Sequence, residues 1–263
     1  MARIYPLFSG SSGNCYYISC RGNGILIDAG RSAKQIETAL HDNSVSVSSV
    51  KAIFVTHEHN DHIAGLRVFA ARHKIKVYSS HATLAALEDE GIINGKYPCD
   101  IIEKNAVELD EMRIKAFKTS HDCADSQGYT VETADGNKIA LATDLGVITD
   151  TVANAVLGSN AVIIESNHDI QMLLNGSYPY YLKKRILSEK GHLSNNDCSY
   201  FLPELINSGT TRFILAHLSR ENNLPQLAYQ SAVCELDKHF ATVDTDYKLY
   251  VAPPENNGHC IPI

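Results

Sequence analysis

Nothing in this chain approaches the run of about 18 apolar residues that a membrane-spanning helix needs. Its first residues, MARIYPLFSGSSGN, lack the apolar stretch of a signal peptide. Cysteine is present but unorganised. The seven residues (15, 20, 99, 123, 198, 234 and 260) are odd in number, scattered, and never spaced Cys-x-x-Cys. That excludes a disulfide framework and a structural zinc knuckle, and it points to a reducing compartment, the cytoplasm. Repeats and low-complexity segments are missing as well. So is a basic surplus: 23 Lys and Arg stand against 30 Asp and Glu, for a formal charge of −7. A nucleic-acid binder ordinarily shows the opposite balance. A phosphate-handling role would need a local basic patch, or bound divalent cations placed where the phosphate sits. What is present is 263 residues, 44% of them hydrophobic, enough for a sizeable core. One domain spanning 1–263 is expected.

Periodicity places short strands at 3–9, 15–20 and 24–30, then a helix in SAKQIETALHD with Ser32 as its N-cap. A β-rich strand, VKAIFVTH, is followed by helical spacing through HIAGLRVFAARHK. KVYSS reads as a strand, and ATLAALEDEG as a helix closed by Gly91. The middle is β-rich at 111–122, 128–144 and 160–169, with ADGN as a hairpin signal. Helices are expected around 178–189, 195–208 and about 223–240, with strands at RFILAHLS (212–219) and YKLYV. Strands and helices interleave in two similar halves, which predicts an α/β fold of packed sheets with helices outside.

The strand ends carry the chemistry. IFVTH stops at His57, AFKTSH at His121, IALATD at Asp144, FILAH at His217 and GILID at Asp28. Strand ends converge on one edge of a sheet, where a rigid scaffold holds loop residues in place. The stretch VTHEHNDHIAG adds three histidines and two acids between His57 and His62. In a tight turn alternate residues share a side, so His57 and His59 can face one ion, and Asp61 and His62 a neighbouring one. Imidazole and carboxylate without thiolate suit Zn, Mn or Fe. Two such ions roughly 3.5–4 Å apart stabilise attacking and leaving oxygens together. The cluster reads as the first half of a site for two divalent metal ions.

His-x-His-x-Asp-His after a strand, followed by a lone His, a lone Asp and a lone His at later strand ends, resembles the metallo-β-lactamase superfamily. The resemblance runs from Asp28 to His217. It implies a four-layer αββα sandwich with a dimetal centre. Carried over, His57, His59 and His121 would hold one metal, and Asp61, His62 and His217 the other. Asp144 would bridge both, and Asp28 would bond a ligand or fix the loop.

Within the superfamily, this chain has Asp144 where the β-lactamases that bind zinc through sulfur have Cys. It has His59 where the diiron flavoproteins have Glu. GHLSN and LAHLSREN resemble ribonuclease Z-like phosphodiesterases. That likeness implies that His192 contacts the scissile phosphate or protonates the leaving oxygen, with Asp61 orienting the nucleophile. Ser219 and Arg220 become candidate phosphate contacts, Arg because of its forked donors. Glu165 and His168, in IIESNHD, lie near the same edge, and Glu165 is placed to orient His192. The Gly/Ser turn in LFSGSSGNCYYI is either an anion-binding concavity or a plain hairpin turn. Taken together these motifs resemble the WalJ/YycJ-type exonuclease branch, which implies a 5′→3′ exonuclease acting on DNA. The alternative is a small, cyclic phosphodiester, or an ester or thioester, hydrolysed at the same site. YYLKKR (180–185) is either a substrate-facing segment or a solvated helix face.

Overall fold

The computed structural model describes residues 1–256 and 258–263. In chain order its strands are β1 (Arg3–Phe8), β2 (Cys15–Cys20), β3 (Asn23–Ile27), β4 (Val50–Phe54), β5 (Lys76–Ser79), β6 (Cys99–Ile101), β7 (Val107–Leu109), β8 (Met112–Lys118), β9 (Gln127–Thr133), β10 (Lys138–Ala142), β11 (Ala161–Glu165), β12 (Arg212–Ala216), β13 (Lys248–Val251) and β14 (Ile261–Pro262). They form two seven-stranded mixed sheets, ordered β14-β1-β2-β3-β4-β5-β6 and β13-β12-β11-β10-β9-β8-β7. By contact the chain divides into two compact units. The first comprises Met1–Ala116, Cys123–Asn137 and Pro253–Ile263; the second comprises Phe117–Asp122 and Lys138–Ala252.

In the first unit, β1, β2 and β3 pair antiparallel, while β3, β4, β5 and β6 run parallel. Helices α1 (Ala33–Asp42), α2 (Asn60–Ile63), α3 (Leu66–His73) and α4 (His81–Asp89) follow β3, β4 and β5. The expected N-cap is present: the Ser32 side chain accepts from the Gln35 amide, and the Gln35 side chain returns the bond, a full capping box. Ile36 and Leu40 of α1 and Leu66 and Phe69 of α3 join Leu7, Leu26 and Ile53 in one apolar core. The helix expected through HIAGLRVFAARHK is two helices, broken at Gly65. A Cβ there would lie 1.9 Å from the Arg31 carbonyl oxygen, so close passage of the backbone, not helical propensity, decides the position. Gly91 closes α4 with φ +69°, as its spacing predicts. The ADGN turn is a tight hairpin, with Thr133 N–H donating to Asn137 O at 2.8 Å.

In the second unit, β10, β11, β12 and β13 are all parallel. Every residue of β11 is buried, the pattern of a strand covered on both faces. Helices α5 (Asp150–Val156), α6 (Ile170–Asn175), α7 (Tyr180–Ile186), α8 (Asn195–Asn207) and α9 (Pro225–Lys238) fill the connections. Val162, Ile164, Phe213 and Leu215 pack with Leu202, Leu205, Ala228 and Leu236. Thr149, Asp169 and Ser194 cap α5, α6 and α8 through their side chains.

In both units the chain turns sharply just past the parallel strands. Asp28, Asp144 and His217 have φ of +64°, +55° and +55°. A non-glycine residue in that region costs roughly 1–2 kcal/mol, and such strain collects at functional sites.

Candidate metal centre and catalytic site

The first unit builds its half around the histidine turn. His57 and His62 are fully buried, while His59 and Asp61 are half-buried. Asp28, also fully buried, organises them. Its Oδ1 accepts from the Thr56 amide at 2.8 Å, and its Oδ2 takes His62 Nδ1 at 2.7 Å. The Thr56 hydroxyl bonds the same carboxylate and lies 3.0 Å from His57 Nδ1. Burial pushes the Asp28 carboxyl up, and His62 and Thr56 pull against it. A carboxylate on Nδ1–H fixes the tautomer of His62, so Nε2 is the ring atom left for a metal. His57 Nε2 and His59 Nδ1 face each other at 3.0 Å. Two imidazole nitrogens so placed can share a proton or a cation.

The Gly/Ser turn braces this loop. Asn14 N–H donates to Asp61 O at 2.7 Å. The Asn14 side-chain amide reaches Asp61 Oδ2 at 3.3 Å and His62 Nε2 at 3.1 Å, and Asn14 Oδ1 accepts from the Gly10 amide. Gly30 lets the segments meet, since a Cβ there would lie 1.8 Å from the Asp61 carbonyl oxygen.

The second unit gathers His121, Asp144, Glu165, His192 and His217. Glu165, at the end of β11 and fully buried, is the centre. Its Oε1 accepts from His192 Nδ1 at 2.8 Å and from His217 Nδ1 at 2.7 Å. Its Oε2 accepts from the amides of Leu145 and Leu193 at 2.9 and 3.2 Å. Burial opposes its charge, yet His192 and His217 hold this carboxyl well below the usual carboxylate range. Asp144 Oδ1 lies 3.4 Å from His217 Nδ1 and 3.9 Å from His121 Nε2. His121 Nδ1 bonds the Gly191 carbonyl at 3.1 Å. Burial lowers the His121 pKa, with the Asp144 charge opposing, and this favours the neutral ring a metal requires. Asp144, Glu165, His192 and His217 offer ligand atoms within 4.8 Å of one another, a grouping that could hold an ion.

The donors fit divalent metals. His62, His121 and His217 each have Nδ1 committed to an oxygen acceptor, which leaves Nε2 as the ligating atom. His192 is anchored in the same way but is more open to solvent.

Three candidates have other surroundings. His168 is 1% exposed, and neither ring nitrogen has a hydrogen-bond partner among the described residues. Burial lowers its pKa to about 4. Ser219 belongs to the turn after His217: its amide donates to Asn167 O, and its Oγ accepts from the Asn222 amide. Arg220 is exposed. Asn14 and Thr56 are site residues that motif reading passes over. So is Asn167, whose side chain donates to the His217 carbonyl at 2.8 Å, and Asn223, which donates to the Ser166 and Asn167 carbonyls. Asn14 has one signal, its place at the end of the Gly/Ser turn.

Two mixed sheets flanked by helices, with His and Asp at the carboxyl ends of their strands, define a hydrolase of the metallo-β-lactamase superfamily, and the chain belongs to that family. A family model described as "Beta-lactamase superfamily domain" matches residues 23–218. The exodeoxyribonuclease YycJ of Bacillus anthracis is 35% identical over 253 residues, which are 95% of this chain and 94% of that protein. The exodeoxyribonuclease WalJ of Streptococcus pneumoniae is 35% identical over 257 residues, 95% of this chain and 93% of that one. The crystal structure of YhfI from Bacillus subtilis, a metallo-β-lactamase fold protein, matches with a TM-score of 0.74 over 99% of this chain and 98% of that one. Its 13% identity makes the likeness one of fold. Among the described residues no helix is long and apolar enough to cross a membrane.

Proposed function

We propose that this protein is a phosphodiesterase with two divalent ions that digests DNA from its 5′ ends. In this reading, carried by the family pattern, His57, His59, Asp61, His62, His121, Asp144 and His217 are the residues that would hold the ions. Zn, Mn and Fe all suit the donors. When bound, the ions make a water nucleophilic near neutral pH and neutralise charge on the phosphate. The observation that carries the reading is His192. Glu165 fixes its Nδ1–H, so Nε2 is the atom turned to substrate. In protonated form it donates to the oxygen that leaves phosphorus, and Glu165 keeps the ring oriented while the proton moves. Asp61 would orient the attacking water. Asp28 and Glu165 hold the ligand imidazoles in one tautomer, so little reorganisation accompanies the reaction.

The choice of DNA rests on the two exodeoxyribonucleases that share 35% identity over 95% of this chain. The cytoplasm is the compartment we assign, since all seven cysteines are free thiols. The test is digestion of a 5′-labelled DNA duplex with added Mn²⁺ at two salt concentrations, beside Asp61→Ala. The wild type is expected to release label, less at high salt, and Asp61→Ala to lose most of kcat while remaining folded. Cleavage of bis-p-nitrophenyl phosphate without release from DNA would move the substrate to a small phosphodiester. Full activity in Asp61→Ala would remove that residue from the chemistry.

A further inference from the structure

Helix α7 presents a surface that the hydrolytic site does not use. Tyr180 is 81% exposed and Tyr181 75%, adjacent rings at the start of the helix. Soluble proteins seldom leave two neighbouring aromatics in water without a use for them. The same segment reverses the charge of the chain. From 180 to 190 it carries Lys183, Lys184, Arg185 and Lys190 against the single acid Glu189, in a protein whose formal charge is −7.

The helix is also firmly held. The Lys183 ammonium donates to the carbonyls of Leu174 and Gly176, at 2.8 and 2.7 Å, tying α7 to the end of α6. Arg185 grips Asp122 with two nitrogens, one of them at 2.8 Å, and Asp122 follows His121 directly. The carbonyl of Ile186 accepts from the His192 amide at 3.0 Å. Gly191 makes that approach possible, since a Cβ there would lie 2.2 Å from the Ile186 carbonyl oxygen. One end of α7 is thus fastened to both His121 and His192, and the other end displays the two rings.

We propose that α7 is a stacking platform for single-stranded DNA. Unpaired bases lie on Tyr180 and Tyr181, and the backbone passes the exposed Lys184 and Lys190 on its way to His192. Every base has a π-face, so such a platform is indifferent to sequence. Base pairs in an intact duplex keep their faces covered, so the platform engages a strand only where it is unpaired, as at the opened end of a duplex under digestion. The inference rests on the nuclease reading and specifies how the strand to be cut reaches the site.

The experiment is fluorescence anisotropy of a labelled oligo-dT strand in EDTA, so that nothing is cleaved, with a blunt duplex of equal length alongside. Losing one stacked base by alanine substitution weakens binding by roughly 5–150-fold. Tyr180→Ala/Tyr181→Ala is therefore expected to bind oligo-dT at least tenfold more weakly, with the duplex little changed and the unfolding midpoint at the wild-type value. Tyr180→Phe/Tyr181→Phe keeps both ring faces and is expected to bind like wild type. Lys184→Ala/Lys190→Ala is expected to flatten the salt dependence. Wild-type affinity in the double alanine variant overturns the platform, and so does an equal loss on the duplex. Digestion by the wild type is measured separately. DNA release with no effect of the tyrosines sinks the platform alone; tyrosine-dependent binding without any release sinks the nuclease reading alone.

Discussion

The first unit collects His57, His59, Asp61 and His62 by chain connectivity, on six consecutive residues of one turn. The second collects His121, Asp144, Glu165, His192 and His217 from separate strand ends and loops. Their supports differ accordingly. The turn is held by several modest contacts: Asp28 on His62, Thr56 beside His57, and Asn14 on Asp61 and His62. In the second group His192 and His217 both hang on one buried carboxylate, which also accepts from two backbone amides. Connectivity distributes the work of positioning, whereas assembly from distant segments concentrates it in a hub. Damage should therefore be graded in the first unit and collective in the second.

The largest effect is expected at the hub. Glu165→Gln keeps the shape but replaces one acceptor oxygen with an N–H₂ group facing donors. His192 and His217 share Oε1 while the Leu145 and Leu193 amides share Oε2, so one of these two donor pairs loses its acceptor, and each buried donor left without one costs about 1–3 kcal/mol. We expect kcat/KM on DNA to fall by about two to three orders of magnitude and the unfolding midpoint to drop by several degrees. Steady-state kinetics and thermal unfolding measure the two. A variant with near-wild-type kcat/KM would show that the cluster does not depend on Glu165.

Asp28→Asn is the matching change in the first unit. It removes the charge that anchors His62 Nδ1, but the Thr56 and Asn14 contacts persist. Disturbing a carboxylate behind a ligating histidine typically costs about 10–100-fold in metal affinity or activity. We expect a loss of that size in affinity for Mn²⁺ or Zn²⁺ by titration calorimetry, and a smaller fall in kcat/KM than for Glu165→Gln. The reverse order would break the contrast between distributed and concentrated support.

The same contrast governs how much was legible in the sequence. The turn could be read directly because its ligands are neighbours in the chain and imidazoles at alternate positions share a side. The second group was legible only as a rhythm of strand endings at His121, Asp144 and His217. That rhythm worked because parallel strands aim their carboxyl ends at one edge. Glu165 read as a partner for His192 alone, and its bond to His217 depends on the register of β11 against β12, where Glu165 lies opposite Ala216, beside the His217 turn. Register is a long-range property that no window of residues contains. Asn14 escaped for a related reason, since its partners Asp61 and His62 are remote in sequence. The same holds for the break at Gly65, which a backbone contact with Arg31 imposes on a helical pattern. The left-handed turns at Asp28, Asp144 and His217 carry no compositional mark, because Asp and His are tolerated there without glycine's signature.

The smallest effect separates the units by acid sensitivity. His57, His59 and His62 all make hydrogen bonds. His168 in the second unit is buried, has neither ring nitrogen bonded among the described residues, and has a pKa lowered to about 4 by burial. Glu165, Asp197 and Asp169 pull that value back up, and His192 pushes it further down. The ordinary value is 6.5, so between 6.5 and about 4 the unfolded chain takes up a proton that the folded chain refuses. Stability therefore falls as pH falls through that window, and below about 4 the penalty is complete. The sum across the window is on the order of a few kcal/mol. His168→Gln removes this contribution. Its urea-unfolding free energy is expected to decline less than that of the wild type between pH 6.5 and 4, with a residual slope that includes buried His121. His73→Gln in the first unit is the comparison: His73 is half-buried and bonded to Glu37 at 2.8 Å, so its loss should leave the decline in place. Equal slopes in wild type and His168→Gln would mean that water, not apolar packing, meets the His168 ring, and the difference in acid sensitivity between the units would disappear.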